Sequence, residues 1–136
     1  MRWLALSLLA VSLSTQAWTG SGNDRIAAAR DYMRYMKEGG SGSGYNYEEI
    51  YWFQGAVAGL STGFNNKHLL TSICYPQSAT TGQIVELAAN YLINHPEKRE
   101  QRLYDLVYEA HTDAFGYQAF ESCWRHEEWK AIQGYD

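Results

Sequence analysis

The sequence has 136 residues, a formal net charge of −4 and 46% hydrophobic residues. A chain of this length is typical of one domain whose core needs no metal ion to fold. The acidic balance disfavours nucleic acid and anionic membrane surfaces as partners, because both repel negative charge.

The first 17 residues have the pattern of a secretory signal. Arg2 supplies a positive charge, "WLALSLLAVSL" is an apolar run, and Thr15 and Ala17 have signal-peptidase spacing. The run is shorter than the roughly 20 apolar residues that span a bilayer, which favours cleavage after Ala17 over an anchor. We expect a periplasmic protein with one mature domain, residues 18–136, and no membrane contact after cleavage.

Two helices are predicted in the first half of this domain. The first covers residues 24–38, capped by Asn23 or Asp24, and the run "GGSGSG" at residues 39–44 is expected to form a flexible link. Its apolar stripe consists of Ile26, Ala29, Met33 and Met36. The second helix covers residues 46–60 with Asn46 as its N-cap. Gly55 and Gly59 lie one turn apart in it, which predicts close helix–helix approach.

Residues 61–79 are predicted to be a loop, and two or three helices follow. Thr80 and Gln83 form a capping box for the third helix, which should end near Asn94 because Pro96 disfavours helical geometry before it. Its apolar stripe consists of Ile84, Leu87, Ala88, Tyr91 and Leu92. The fourth helix is expected to start at Pro96 and stop at Gly116, and a short fifth helix over residues 117–133 would carry Cys123. The predicted fold is an all-α, compact bundle of about five helices.

Cys74 and Cys123 are the two cysteines of the chain. Cysteines of an exported domain usually pair, and a bridge closing a loop of about 50 residues is worth roughly 4 kcal/mol in the chain-entropy model. A catalytic thiol is the alternative, with His68, His95 or His111 as its base. A metal site at Cys123 and His126, with Cys74 as a possible third ligand, is a weaker alternative because no fourth ligand is evident. No cofactor or phosphate-binding motif is recognisable, so we expect neither cofactor nor metal.

Aromatic residues make up 15% of the chain, and several lie in or beside predicted loops. Tyrosine anchors both cores and protein interfaces, so a core position is the alternative for each. The segments "GGSGSGYNY" and "STGFNNKH" combine flexible or adaptable residues with such an anchor. The residues predicted to contact a partner are Tyr45, Tyr47, Phe64, Asn65, Asn66, Lys67 and Tyr75.

Several motifs occur together between residues 47 and 123. They are "YWFQGAVAGL", a cysteine and proline at "CYP", "TTGQIVELAANYLINHPEKR", and "DLVYEAHTDAF" before a second cysteine. This pattern resembles the type VI secretion amidase immunity (Tai) family and its resistance-associated relatives. The family's cysteine pair corresponds to Cys74 and Cys123, although this chain inserts residues before Cys123.

The resemblance implies an all-α protein, often a homodimer, that blocks a peptidoglycan amidase toxin and has no catalytic activity of its own. Such toxins are cysteine–histidine hydrolases. Two other functions are compatible with the residues: an acid-activated periplasmic chaperone and a small hydrolase using Cys74 or Cys123. Exposure of apolar surface at low pH would indicate the chaperone, and a free thiol would indicate the hydrolase.

Overall fold

The computed structural model describes residues 20–65, 72–76 and 78–118. It contains four α-helices: α1 (Gly22–Lys37), α2 (Tyr47–Phe64), α3 (Thr81–Asn94) and α4 (Leu103–Phe115). A 3-10 turn, Pro96–Lys98, lies between α3 and α4. Two short strands, β1 (Ser72–Ile73) and β2 (Tyr117–Gln118), pair antiparallel, with Ile73 opposite Tyr117. The predicted all-α class is confirmed.

The described residues hold four α-helices rather than about five. The predicted fifth helix began at Tyr117, but Gly116 has a φ of 71°, which leaves the helical region, and Tyr117 then enters β2. The signal segment, the remainder of the expected fifth helix and Cys123 all lie outside the described residues.

The four helices share one core. Tyr32 of α1, Phe53 of α2, Leu92 of α3 and Leu106 of α4 are among its fully buried side chains. Within the described ranges, no helix is long and apolar enough to cross a membrane.

Helix α1 begins earlier than predicted. Ser21 is its N-cap, and Asp24, predicted as a possible cap, is instead the third helical residue of a capping box. The Asp24 carboxylate accepts from the backbone N–H of Ser21 at 2.8 Å, and this hydrogen bond lowers the pKa of Asp24. The buried stripe is also displaced, because Tyr32 lies in the core whereas Met36 is 43% exposed.

Helix α2 extends past the predicted end at residue 60. Asn46 caps it as expected, accepting from the Glu49 N–H at 3.3 Å. The Ser61 hydroxyl donates to the Val57 carbonyl at 2.7 Å, so this side chain is satisfied inside the helix. Phe64, expected in a loop, is the last helical residue and is buried.

The predicted capping box of α3 is present, with Thr80 and Gln83 bonding reciprocally. The fourth helix, however, begins at Leu103 rather than at Pro96. The intervening chain makes other bonds: Gly22 N–H donates to the Gln101 carbonyl at 3.0 Å, and Leu103 N–H donates to the Gly20 carbonyl at 2.9 Å. These pairings occupy backbone groups that a continuous helix would need.

Candidate functional site: a tyrosine cluster beside a glycine row

Four tyrosines meet where α1 ends and α2 begins. We call Tyr35, Tyr45, Tyr47 and Tyr51 the tyrosine cluster. The ring of Tyr35 contacts those of Tyr45 and Tyr47 edge-on, at centroid separations of 5.6 and 6.2 Å. Tyr47 and Tyr51 are stacked at 6.3 Å on successive turns of α2. Such contacts hold the rings in fixed relative positions.

The glycine-rich run at residues 39–44, expected from its composition to be a flexible link, forms a hydrogen-bonded turn in the structure. Gly40 N–H donates to the Tyr35 carbonyl at 3.0 Å, with a φ of 76° that suits glycine. Arg34 donates to the Gly44 carbonyl at 3.1 Å, and its guanidinium lies 4.6 Å from the centre of the Tyr45 ring. The turn therefore positions the Tyr45 ring against the rings of Tyr35 and Tyr47.

Hydrogen bonds also fix the phenol groups. Tyr45 donates to the carboxylate of Glu38, and desolvation followed by this bond raises the pKa of Tyr45. A hydrogen bond with Tyr35 raises the pKa of Tyr51. Both phenols are therefore neutral at physiological pH, and each presents an apolar ring with a polar end.

Part of the cluster faces solvent. Tyr47 is 45% exposed and Tyr51 is 56% exposed. Three glycines continue the same row along α2 at intervals of four residues: Gly55, Gly59 and Gly63. All three are exposed. We call this row, with Tyr47 and Tyr51, the α2 face.

The described part of the fold does not require these three glycines. A Cβ atom placed on Gly55, Gly59 or Gly63 would have no neighbour among the described residues within 4 Å, and none of them has a positive φ. The close helix–helix approach predicted for Gly55 and Gly59 is therefore not made within the described chain. Each glycine in a helix interior is less favourable than alanine by about 1 kcal/mol. Alanine at these three positions would therefore favour the helix more than glycine does.

The α2 face suits the binding of another protein. Its rigid tyrosines offer large contact area with little loss of side-chain entropy. The glycine row next to them allows another backbone to approach α2 closely. Glu48, which is exposed in the first turn of α2, adds negative charge beside the cluster.

The other residues predicted to contact a partner are spread over different environments. Phe64 is buried and packs edge-on against Tyr104 and Tyr108 at 5.2 and 5.1 Å. Asn65 is the half-buried C-cap of α2. Asn66 and Lys67 lie outside the described residues. Tyr75 is half-buried, and its hydroxyl is hydrogen-bonded to His111.

Tyr35 and Tyr51 complete the site but were missed from the sequence. Tyr51 belongs to the run "YWF", whose side chains point to different sides of the helix, so the sequence alone did not single it out as a surface residue. The available signal was the interval of four residues that joins Tyr47 to Tyr51 and to the glycines. Tyr35 approaches only because the turn at residues 39–44 folds α1 back onto α2, and such a long-range approach has no local signature.

The candidate catalytic groups have structural partners. Cys74 is half-buried and is not a free thiol. The Nδ1 and Nε2 atoms of His111 each lie 2.9 Å from a partner, the Tyr75 hydroxyl and the Ile84 carbonyl. His95 stacks on Tyr91 at 4.1 Å and contacts Glu97. His68, Cys123 and His126 lie outside the described residues.

Because Cys123 is not described, its pairing with Cys74 stays a prediction. The described residues contain no group of three or more His, Cys, Asp or Glu side chains placed to hold a metal ion.

Comparison with known proteins identifies the family. A family model for Rap1a immunity proteins matches residues 21–116, which span α1 to α4 and include the whole α2 face. No curated protein and no solved structure matches the chain. The match confirms the resemblance to immunity proteins of type VI secretion effectors and does not test membership of the Tai family in particular. The chain belongs to the Rap1a immunity protein family.

Proposed function

We propose that this chain binds and blocks a peptidoglycan amidase delivered by a type VI secretion system, and so protects the cell that produces it. The family match supports an effector immunity role. The amidase as target rests on the resemblance of residues 47–123 to amidase immunity proteins. The protein would act by occlusion, with no catalysis of its own.

We further propose that the α2 face makes the central contact with the effector. The observation that carries this proposal is the exposed pair Tyr47 and Tyr51, followed by glycines that the described part of the fold does not require. Exposed aromatic anchors at the centre of an interface commonly carry most of its binding energy. The glycine row would let the edge of an active-site cleft lie directly against α2.

The effector would be sought as an amidase encoded beside this chain's gene. Its affinity for the mature chain would be measured by calorimetry, together with the rate at which it cleaves peptidoglycan. Replacing both Tyr47 and Tyr51 with alanine should weaken binding by at least about 30-fold, which corresponds to about 2 kcal/mol. Inhibition of cleavage should weaken in parallel.

Tyr104 supplies a matched control. It is exposed to nearly the same extent as Tyr47, at 44%, but lies on α4 outside the cluster. Tyr104→Ala should leave the affinity for the effector nearly unchanged. Loss of binding in the Tyr104→Ala control but not in the double variant would assign the effector contact to α4 instead of α2. An amidase that binds none of the proteins, wild type included, would refute the target.

Location and assembly follow from the same proposal. An amidase that acts on peptidoglycan is met in the periplasm, so the chain would be exported by residues 1–17 and start at Trp18. The mass of the protein recovered from periplasm measures this directly. The resemblance also leads us to propose a homodimer, for which light scattering should give twice the mass of the mature chain.

A further inference from the structure

A groove separate from the α2 face lies between the segment after Cys74, α3 and the end of α4. It has a volume of about 420 Å³, within the range of ligand pockets. None of its described lining residues belongs to the tyrosine cluster or to the glycine row. They are Pro76, Ser78, Ala79, Gln83, Glu86, Leu87, Asn90 and Phe115.

The groove has an apolar part and a polar part. Pro76, Ala79, Leu87 and Phe115 provide apolar surface, of which Leu87 and Phe115 are half-buried. Gln83, Glu86 and Asn90 follow one another along a single stripe of α3. Gln83 and Asn90 are two turns apart, about 10 Å, which matches about three residues of an extended peptide. The Asn90 amide can both donate to and accept from a peptide backbone, and the Gln83 amide, whose oxygen already accepts from the Thr80 N–H, can still donate.

The walls of the groove are already in place. Ala79 N–H donates to the Pro76 carbonyl at 2.9 Å, which closes the turn on one side. The Phe115 ring packs edge-on against Tyr75 at 5.3 Å on another side. A preformed site loses less entropy when it binds a ligand.

Glu86 is the one charged residue among the described residues that line the groove. Its side chain is half-buried, and it makes no hydrogen bond or ion pair with another described residue. The other half-buried carboxylates among the described residues are paired, as Glu49 is with Arg25 at 3.3 Å and Glu109 is with Lys98 at 2.8 Å. A partly desolvated carboxylate beside apolar surface favours a cation that brings apolar surface with it.

We propose that this groove binds an extended protein segment in which a lysine or arginine stands next to a large apolar side chain. The apolar side chain lies against Leu87 and Phe115, and the cation pairs with Glu86. Gln83 and Asn90 bond the backbone of the segment. This inference does not depend on the proposed effector, because it follows from the groove alone.

The test uses the mature chain labelled with ¹⁵N and two blocked peptides that differ in one residue. The peptides are acetyl-Ser-Leu-Lys-Leu-Ser-amide and the same peptide with glutamate in place of lysine. The lysine peptide should shift the backbone amide signals of Gln83, Glu86 and Asn90 in a saturable way. It should bind at least about fivefold more tightly than the glutamate peptide, which a favourable ion pair of about 1 kcal/mol would produce.

Two variants separate the groove from general charge effects. Glu86→Gln should remove the preference for lysine, whereas Glu100→Gln, an equal charge change at an exposed position after α3, should retain it. The proposal is overturned if no saturable shift occurs in the groove, or if both peptides bind equally to the wild-type chain. It is also overturned if Glu86→Gln keeps the full preference.

Discussion

The hydroxyl of Tyr75 lies 2.9 Å from Nδ1 of His111, and Nε2 of the same ring lies 2.9 Å from the carbonyl oxygen of Ile84. A carbonyl only accepts, so Nε2 carries the proton and Nδ1 accepts from Tyr75. The imidazole therefore links three segments: the residue after Cys74, the first turn of α3 and the last turns of α4. The fully buried ring acts as a structural bridge.

Burial lowers the pKa of His111 below its ordinary value of about 6.5. The unfolded chain therefore takes up this proton at a higher pH than the folded chain does. The contribution of neutral His111 to the free energy of unfolding is complete above about pH 6.5. It is lost as the pH falls towards the pKa that His111 has in the folded chain. Urea unfolding of the mature protein at pH 7.5, 6.0 and 5.0 should show a decrease in the free energy of unfolding across this range.

One variant identifies the group responsible. His111→Gln should lower the free energy of unfolding at pH 7.5 but flatten its dependence on pH between 7.5 and 5.0. An unchanged slope in His111→Gln would assign the acid sensitivity to another group.

The Tyr75 hydroxyl should contribute to stability on its own. Tyr75→Phe leaves the buried Nδ1 of His111 without its donor, and such an unsatisfied group costs about 1–3 kcal/mol. Equilibrium denaturation measures this loss. Tyr47→Phe is the control, because Tyr47 is partly exposed and its change should stay within about 0.5 kcal/mol. Equal effects of the two changes would show that the hydrogen bond adds nothing.

Two glycines should respond to alanine in opposite directions. A Cβ on Gly22 would lie 2.6 Å from Cδ1 of Leu106 and 3.0 Å from the backbone Cα of Arg99. That backbone is held in place, since Asn23 N–H donates to the Arg99 carbonyl at 2.8 Å. Gly22→Ala should therefore lower the free energy of unfolding by about 1–3 kcal/mol.

Gly55→Ala should instead raise the free energy of unfolding by up to about 1 kcal/mol, because its Cβ would meet no described residue within 4 Å. Thermal or denaturant unfolding of the two variants gives the comparison. If the glycine row contacts the effector, the same Gly55→Ala protein should bind it more weakly despite being more stable. Destabilisation by Gly55→Ala would mean that α2 needs this glycine for folding.

These contrasts show which parts of the fold the sequence could predict. The capping box at Thr80 and Gln83 and the N-cap at Asn46 are local, so their residues predict them directly. The start of α4 could not be predicted, because it depends on Gly20 and Gly22 pairing with a segment about 80 residues away. The composition of residues 39–44 gave no sign of the bond from Arg34 to the Gly44 carbonyl, which joins residues ten positions apart.

In the candidate site, too, local features could be predicted from the sequence and long-range contacts could not. Tyr45 and Tyr47 were predicted from their position beside a glycine-rich segment, whereas Phe64 looked equally suitable and is buried. Whether an aromatic residue at the end of a helix faces solvent depends on the neighbouring helix. Here Tyr104 and Tyr108 of α4 cover Phe64.

Arg99 should stabilise the end of α3 through its geometry rather than its charge alone. Its Nε donates to the Leu92 carbonyl and its guanidinium NH₂ to the Ile93 carbonyl, both at 2.7 Å. Lysine keeps the charge but cannot make this planar fork. Arg99→Lys should therefore lower the free energy of unfolding by about 1–2 kcal/mol, measured in urea. Arg30→Lys, at an exposed position of α1, should have little effect, and an equal loss in both variants would contradict the capping role.

The pairing of Cys74 with Cys123 can be measured directly. If Cys74 pairs with Cys123, protein purified from periplasm should contain no reactive thiol, in denaturant or without it. Reduction should then lower the free energy of unfolding by roughly 4 kcal/mol, because the unfolded chain gains the freedom of a loop of about 50 residues. A double Cys74→Ala, Cys123→Ala variant should match the reduced protein and should not respond to reductant. One or two reactive thiols in the oxidised protein would contradict the bridge and reopen the hydrolase alternative for Cys74 or Cys123.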